Sequence, residues 1–139
     1  MADNIVIPKD ARKKSLDAKR INYLNGLKIR LFKNNYTPVV GSVLADFDEA
    51  TFDGYLWKAL NSFGVVFLNV TNNAETDSAV LTWTATGGVI ANDVYGWYTE
   101  DTDGKVGPCA RFDPGPIRID AAGKAVSVHI FFEDGGLAP

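Results

Sequence analysis

From Leu27 to Phe132 the apolar residues come in short alternating runs, and turn-forming residues interrupt them repeatedly. Leu27, Ile29 and Leu31 alternate with Lys28 and Arg30 until Phe32 breaks the pattern. Near the other end, Val126, Val128, Ile130 and Phe132 share one face, with Ser127, His129 and Phe131 opposite. A period of two puts successive side chains on opposite faces of a strand. The 13 Gly and 6 Pro spread between the short apolar runs suit a chain with many turns. Cutting at the turn signals gives about seven or eight strands, at a spacing of roughly 8–14 residues. The expected fold is mainly β, an antiparallel β-sandwich or open barrel with mainly hairpin connections. At 139 residues one domain can hold a real core.

Individual elements follow from the same reading. Val65 to Val70 reads as a strand buried on both sides, and Thr71 to Asp77 as a polar loop. Ala79 to Thr86 is strand-like, Gly87-Gly88 a compact hairpin turn, and Val89 to Tyr98 the returning strand with a bulge at Asn92-Asp93. Glu100 to Gly104 forms the next hairpin loop, and Val106 to Phe112 returns. Asp113-Pro114-Gly115-Pro116 interrupts; Ile117 to Ile119 and Ala125 to Phe132 complete the set. Val39 to Leu44 is a short strand or an irregular crossing, and Asp46 to Phe52 can form one helical turn capped by Asp46 or Asp48.

Before Leu27 the chain differs. Residues 1–26 read as a basic N-terminal arm with a short helix, and residues 27–139 as the β body. Asn4 to Pro8 is extended, with Ile5 and Ile7 facing one way. Residues 10–25 suit a helix, with Asp10 as cap, Gly26 in the left-handed position after its end, and Leu16, Ile21 and Leu24 facing inward. Residues 1–35 carry nine Lys/Arg against three Asp, whereas residues 36–139 carry five Lys/Arg against fourteen Asp/Glu. The net charge of −3 therefore hides a basic segment fused to an acidic body. Such a segment docks on something acidic, including another copy of the chain. The residues expected to bind partners are Ile5, Ile7, Arg12, Lys13, Lys14, Lys19 and Arg20. Nucleic acid is disfavoured as the partner, because its phosphates would repel the acidic body.

Candidates for chemistry fail one by one. A single His gives no His-paired metal site and no ordinary nucleophile–base pair, and His129 reads as a surface or subunit-contact residue. Gly87-Gly88 lacks the Lys and the helix of a phosphate loop. Asp46, Asp48, Glu49 and Asp53 suit capping and turns better than a carboxylate pair, and Asp101-Thr102-Asp103-Gly104 suits a hairpin tip better than a calcium loop. Trp57, Trp83 and Trp97, with Tyr55, Tyr95 and Tyr98, could line a carbohydrate site; as strand residues they more often fill the core and subunit interface. The single Cys109 cannot form an internal disulfide and reads as a small buried or half-buried residue. No cofactor, no metal and no enzymatic activity are expected. No apolar run approaches the ~18 residues of a membrane span, and residues 1–14 have no signal-peptide core. The expectation is folding in a cytoplasm, with no membrane partner.

Three stretches carry a resemblance. Leu27-Lys28-Ile29-Arg30-Leu31-Phe32-Lys33-Asn34-Asn35-Tyr36-Thr37-Pro38 is followed by Leu44-Ala45-Asp46-Phe47-Asp48-Glu49-Ala50-Thr51-Phe52-Asp53-Gly54-Tyr55, and later by Val94-Tyr95-Gly96-Trp97-Tyr98. Together they resemble a family of small tailed-bacteriophage proteins with an "LxLFxN…TP…DFxEAxFxGY…YGW" pattern. The resemblance spans residues 27–132 and leaves the basic arm outside. It implies a virion structural protein, assembled in the host cytoplasm. A capsid decoration (cement) protein is the preferred role, with the major capsid protein or other virion proteins as partners. A homo-oligomer, by preference a trimer, would suit three-fold positions on a shell. The alternatives are a tail, baseplate or fibre-associated component, and a carbohydrate-binding host-attachment module.

Overall fold

The computed structural model describes residues 16–18, 23–60, 63–68, 73–87 and 90–134. Among these the fold is mainly β. Eleven short strands are present: β1 (Leu27–Phe32), β2 (Lys58–Leu60), β3 (Phe67–Leu68), β4 (Ala74–Asp77), β5 (Leu81–Thr84), β6 (Asn92–Val94), β7 (Gly96–Glu100), β8 (Val106–Arg111), β9 (Ile117–Ile119), β10 (Ala125–Val128) and β11 (Phe131–Asp134). They pair antiparallel in four sheets, ordered β2-β1-β7-β8, β11-β4-β3, β10-β5 and β6-β9. Among the described residues no sheet closes into a barrel.

The strand count exceeds the expected one because two expected strands are divided and because β2 and β4 fall where no strand was expected. The run from Val89 to Tyr98 yields β6 and β7 with Tyr95 between them, and the run from Ala125 to Phe132 yields β10 and β11. The supposed polar loop from Thr71 to Asp77 contains β4, whose Ala74 and Thr76 are buried. Gly88 of the expected Gly87-Gly88 hairpin lies outside the described residues; among the described strands β5 pairs with β10, and β6 with β9. Hairpin pairing holds for β7 and β8, where the Asp101 carboxylate accepts the N–H groups of Asp103 and Lys105 and Gly104 takes φ +74°.

In β1, Leu27, Ile29 and Leu31 enter the main core, together with Leu24, Phe52, Leu60, Trp83, Val94, Ile119, Val126 and Val128. Each such side chain contributes about 1.5–3 kcal/mol when fully buried. The break in alternation at Phe32 now has a cause. Phe32 lies on the opposite face of β1, where a second aromatic cluster of Phe32, Phe47 and Tyr98 covers the sheet. Phe47 stacks on Tyr98 at 4.4 Å between ring centroids and meets Phe32 edge-on at 5.2 Å. One end of β1 is therefore buried on both sides. Gly96 sits directly opposite Phe32 in the β1–β7 ladder, and a Cβ there would lie 2.7 Å from the Phe32 ring and would also strike the Ala110 carbonyl.

The arm is described only in part. Residues 16–18 are helical, and Leu16 packs with Val66 and Ala74. Leu24 is in the main core, and Ile21 and Asp10 lie outside the described residues. Gly26 does not take the left-handed position expected of it. It closes a 3-10 turn, Leu24–Gly26, after which the Leu27 N–H bonds to the Leu24 carbonyl. Similarly, the helical turn expected at Asp46 to Phe52 falls earlier, at Leu44–Asp46.

Candidate interaction surface

The densest polar cluster is built on the outer face of β1. Arg30 donates from one guanidinium nitrogen to both oxygens of Glu49, at 3.1 and 2.9 Å, and from the other to Glu100 at 2.9 Å. The Tyr55 hydroxyl donates to Glu49 at 2.6 Å and accepts the Leu31 N–H at 3.2 Å. Burial acts against the Arg30 charge, but the hydrogen bonds to Glu49 and Glu100 outweigh it and its pKa is raised. Burial also raises the Tyr55 pKa, and the adjoining Glu49 carboxylate adds to the shift. Burial pushes Tyr98 up to about 12, with Glu49 again contributing. The cluster ties β1 and β7 to the segment between β1 and β2, and each of its groups is committed to a neighbour.

The other suspected carboxylates have separate tasks. Asp46 accepts the Val43 N–H at 2.9 Å, Asp48 lies 3.9 Å from the Lys33 ammonium, and the Asp53 carbonyl accepts the Thr86 N–H. Asn34 clamps this segment, donating to the Asp46 carbonyl and accepting the Asp48 N–H, both at 2.9 Å. Arg111 donates to the Tyr36 carbonyl and to Asn35, and lies over the Tyr95 ring. Among the described residues, no group of three or more His, Cys, Asp and Glu is placed to hold a metal ion.

The aromatic candidates do not share a surface. Trp83 is buried and donates its indole N–H to the Leu56 carbonyl; Tyr98 lies in the aromatic cluster; Trp97 packs against the main core. Trp57 receives the Lys28 ammonium over its ring at 4.9 Å. Cys109 is half-buried beside the Phe32 cluster, and burial raises its thiol pKa. An open cleft of ≈ 390 Å³ adjoins the Asp113-Pro114 turn, lined by Arg111, Phe112, Asp113, Pro114 and Gly115. The Arg111 guanidinium is already engaged by the contacts above.

The expected partner-binding residues Ile5, Ile7, Arg12, Lys13, Lys14, Lys19 and Arg20 all lie outside the described residues. The charge division itself needs correction. Three cations assigned to the basic segment belong to β1 or its end, where Arg30 bridges Glu49 and Glu100, Lys33 faces Asp48, and Lys28 covers Trp57. Residues 1–26 retain six Lys/Arg against three Asp.

Leu56, Val65, Val80 and Ile90 are exposed on the described body, and two further features group exposed apolar side chains. One is a loop presenting Val39, Val40 and Val43. It is internally braced: Ser42 Oγ accepts the Val39 N–H and shares a 2.6 Å hydrogen bond with Tyr36, and Asp46 secures Val43. The other is the outer face of the β11-β4-β3 sheet. The register places Phe67 opposite Glu75 and Phe131 opposite Asp77, while Ala74 and Thr76 point inward. His129 lies at the edge of this face, 3.2 Å from the Asp77 carboxylate and 4.4 Å from the Phe131 ring. Sequence reasoning missed this face because it treated β4 as loop.

No protein-family model, curated protein or solved structure matches this chain.

Proposed function

We propose that the chain is a structural protein of a tailed-bacteriophage virion, acting as a capsid decoration protein rather than as an enzyme. It docks on the shell through its N-terminal arm and through contacts between copies. The observation that carries this reading is that residues of the phage-like stretches converge on one scaffold: Glu49 and Tyr55 tie the segment before β2 to β1, Phe47 stacks on Tyr98 of β7, and Asn34 braces the segment itself. Support also comes from the exposed valine loop and the Phe67 and Phe131 face, since exposed apolar surface on a rigid body suits protein contact. The carbohydrate reading is weakened by Trp83 and Tyr98 lying inside the fold.

A tail or baseplate part would use the same architecture, and abundance separates the two roles. Quantitative mass spectrometry of the purified parent particle should give a copy number within a few-fold of the major capsid protein. A handful of copies per particle would transfer the protein to the tail and end the decoration reading.

A further inference from the structure

We propose that the valine loop, together with the slot beside it, docks a second copy of this chain, in a two-fold contact that the two loops make with each other. The inference deepens the assembly reading and rests on it for the use of the contact on a virion.

The loop is built as a knob. The Ser42 N–H bonds to the Val39 carbonyl at 3.0 Å, closing a turn with Val40 and Gly41 at its tip. Val40 is wholly exposed, Val39 is 63 % exposed, and a Cβ at Gly41 would meet nothing within 4 Å. Beside the knob lies a slot of ≈ 240 Å³, between this loop and the β7–β8 hairpin. Val43, Leu44 and Val106 wall it, and Lys105 stands at its rim. Leu44 and Val106 also pack against the aromatic cluster of Phe32, Phe47 and Tyr98, so the walls are held from behind. Knob and slot therefore exist before a partner arrives, and seating one in the other orders little beyond side chains.

Charge selects a second copy as the occupant. Residues 36–139 carry five Lys/Arg against fourteen Asp/Glu, so two bodies repel over most approaches. From Asn34 to Ala45 there is no charged residue, and the Asp46 carboxylate that follows is turned onto the Val43 N–H at 2.9 Å. Two copies meet here without opposing like charges. The hairpin tip adds an attraction. Asp103 and Lys105 are both exposed, and neither side chain is engaged by another described residue. Their backbone is fixed, because the Asp101 carboxylate accepts both N–H groups at 2.9 Å. Knob, slot, Asp103 and Lys105 lie in one patch. A two-fold axis through that patch seats each Val40 in the other copy's slot and sets each Lys105 against the other's Asp103. Such a contact is isologous and closed, with every group used twice.

The test is sedimentation velocity of the full-length protein over a range of concentrations, which should show monomer passing to dimer. Val40→Asp should weaken the dimer at least about tenfold, since one buried valine is worth that factor and the contact uses it twice. Near-ultraviolet circular dichroism would confirm that this variant, changed at an exposed tip, keeps its fold. Lys105→Asp should weaken the dimer about threefold, within the range of exposed ion pairs, and Asp103→Lys/Lys105→Asp should restore it. A protein that stays monomeric at every concentration overturns the proposal, even where the loop becomes protected from hydrogen exchange on the particle, for the occupant is then the shell. So does an assembly indifferent to Val40→Asp, or a charge swap that fails to recover it. The copy-number measurement is independent: a few copies per particle would refute decoration and leave the dimer standing, whereas abundant copies of a monomeric protein would refute only the two-fold contact.

Discussion

Asn92→Ala should destabilise the protein more than its polar, turn-like sequence context implies. Asn92 is buried, and its Oδ1 accepts the N–H of Thr51 at 2.6 Å and of Phe52 at 3.1 Å. Its Nδ2 donates to the Ala91 carbonyl at 2.8 Å and to Thr51 Oγ1 at 3.3 Å. Thr51 is exposed, so its N–H can turn to water after truncation. Phe52 is 2 % exposed, so its N–H is left unpaired in the core. A buried unsatisfied donor costs about 1–3 kcal/mol, and each further hydrogen bond lost adds about 1 kcal/mol or less. The expected loss is about 3 kcal/mol. In urea, with m about 1.5 kcal/mol/M, the midpoint should fall by about 2 M. Tryptophan fluorescence reads the transition, at one protein concentration throughout because self-association would shift it. Thr51→Ala is the control: it removes only the long peripheral bond and should stay within ~0.5 kcal/mol. If Asn92→Ala stays within that same margin, or Thr51→Ala is as damaging, the Asn92 side chain is not the clamp between β6 and the segment before β2.

Three further outcomes follow from the geometry. Gly96→Ala should lose stability at the upper end of the ~1–3 kcal/mol typical of overpacking, because neither the Ala110 backbone nor the wedged Phe32 ring can give way; thermal unfolding checks it. Tyr98 is raised to about 12, above the ordinary tyrosine value of 10.0, so the unfolded chain releases its proton first. The stability contributed by this group is complete below pH 10, is lost as pH rises through about 12, and adds to the loss from Tyr55. Tyrosinate absorbance followed beside circular dichroism should show these two hydroxyls ionising only with unfolding; ionisation in the folded state at pH 10 would contradict it. Burial raises the Cys109 thiol pKa, so its alkylation by iodoacetamide at neutral pH should be at least ~10-fold slower in the native protein than in denaturant.

How much of this was legible in the sequence depends on the range of the interaction. Alternation at Leu27, Ile29 and Leu31 is local, and it marks β1 correctly. The Asp101 to Lys105 hairpin is equally local and was readable from its Asp and Gly residues. The partners of β5 were not, because Gly87-Gly88 offers a good turn while the ladder joins Leu81 to Val128 and Thr84 to Ala125. Turn chemistry finds a possible hairpin and cannot weigh it against a distant strand. Asn92 and Asn34 were hidden for a related reason. Both look like turn residues, and both serve as side-chain clamps to backbone groups distant in sequence or in a neighbouring loop. The cations of β1 were misassigned because Arg30 pairs with Glu100, 70 positions away, and no composition window joins them.

The valine loop and the Phe67 and Phe131 face suit assembly for a reason of entropy. An apolar contact made by a mobile loop must first order that loop, which offsets part of the affinity. Here Val39 and Val43 sit on backbone already fixed by Ser42 and Asp46, and Phe67 and Phe131 stand on paired strands. The ordering cost of contact is thereby confined to the partner and to side-chain rotamers. If the partner is a second valine loop, that cost is small on both sides. The body holds a preformed surface, Asp103 and Lys105 supply charge that screening can weaken, and association responds to salt while the fold, built on buried apolar pairs and short internal clamps, does not. Comparing the salt dependence of self-association with that of urea stability tests this directly. Parallel changes in both would mean that these charges stabilise the body itself rather than its contacts.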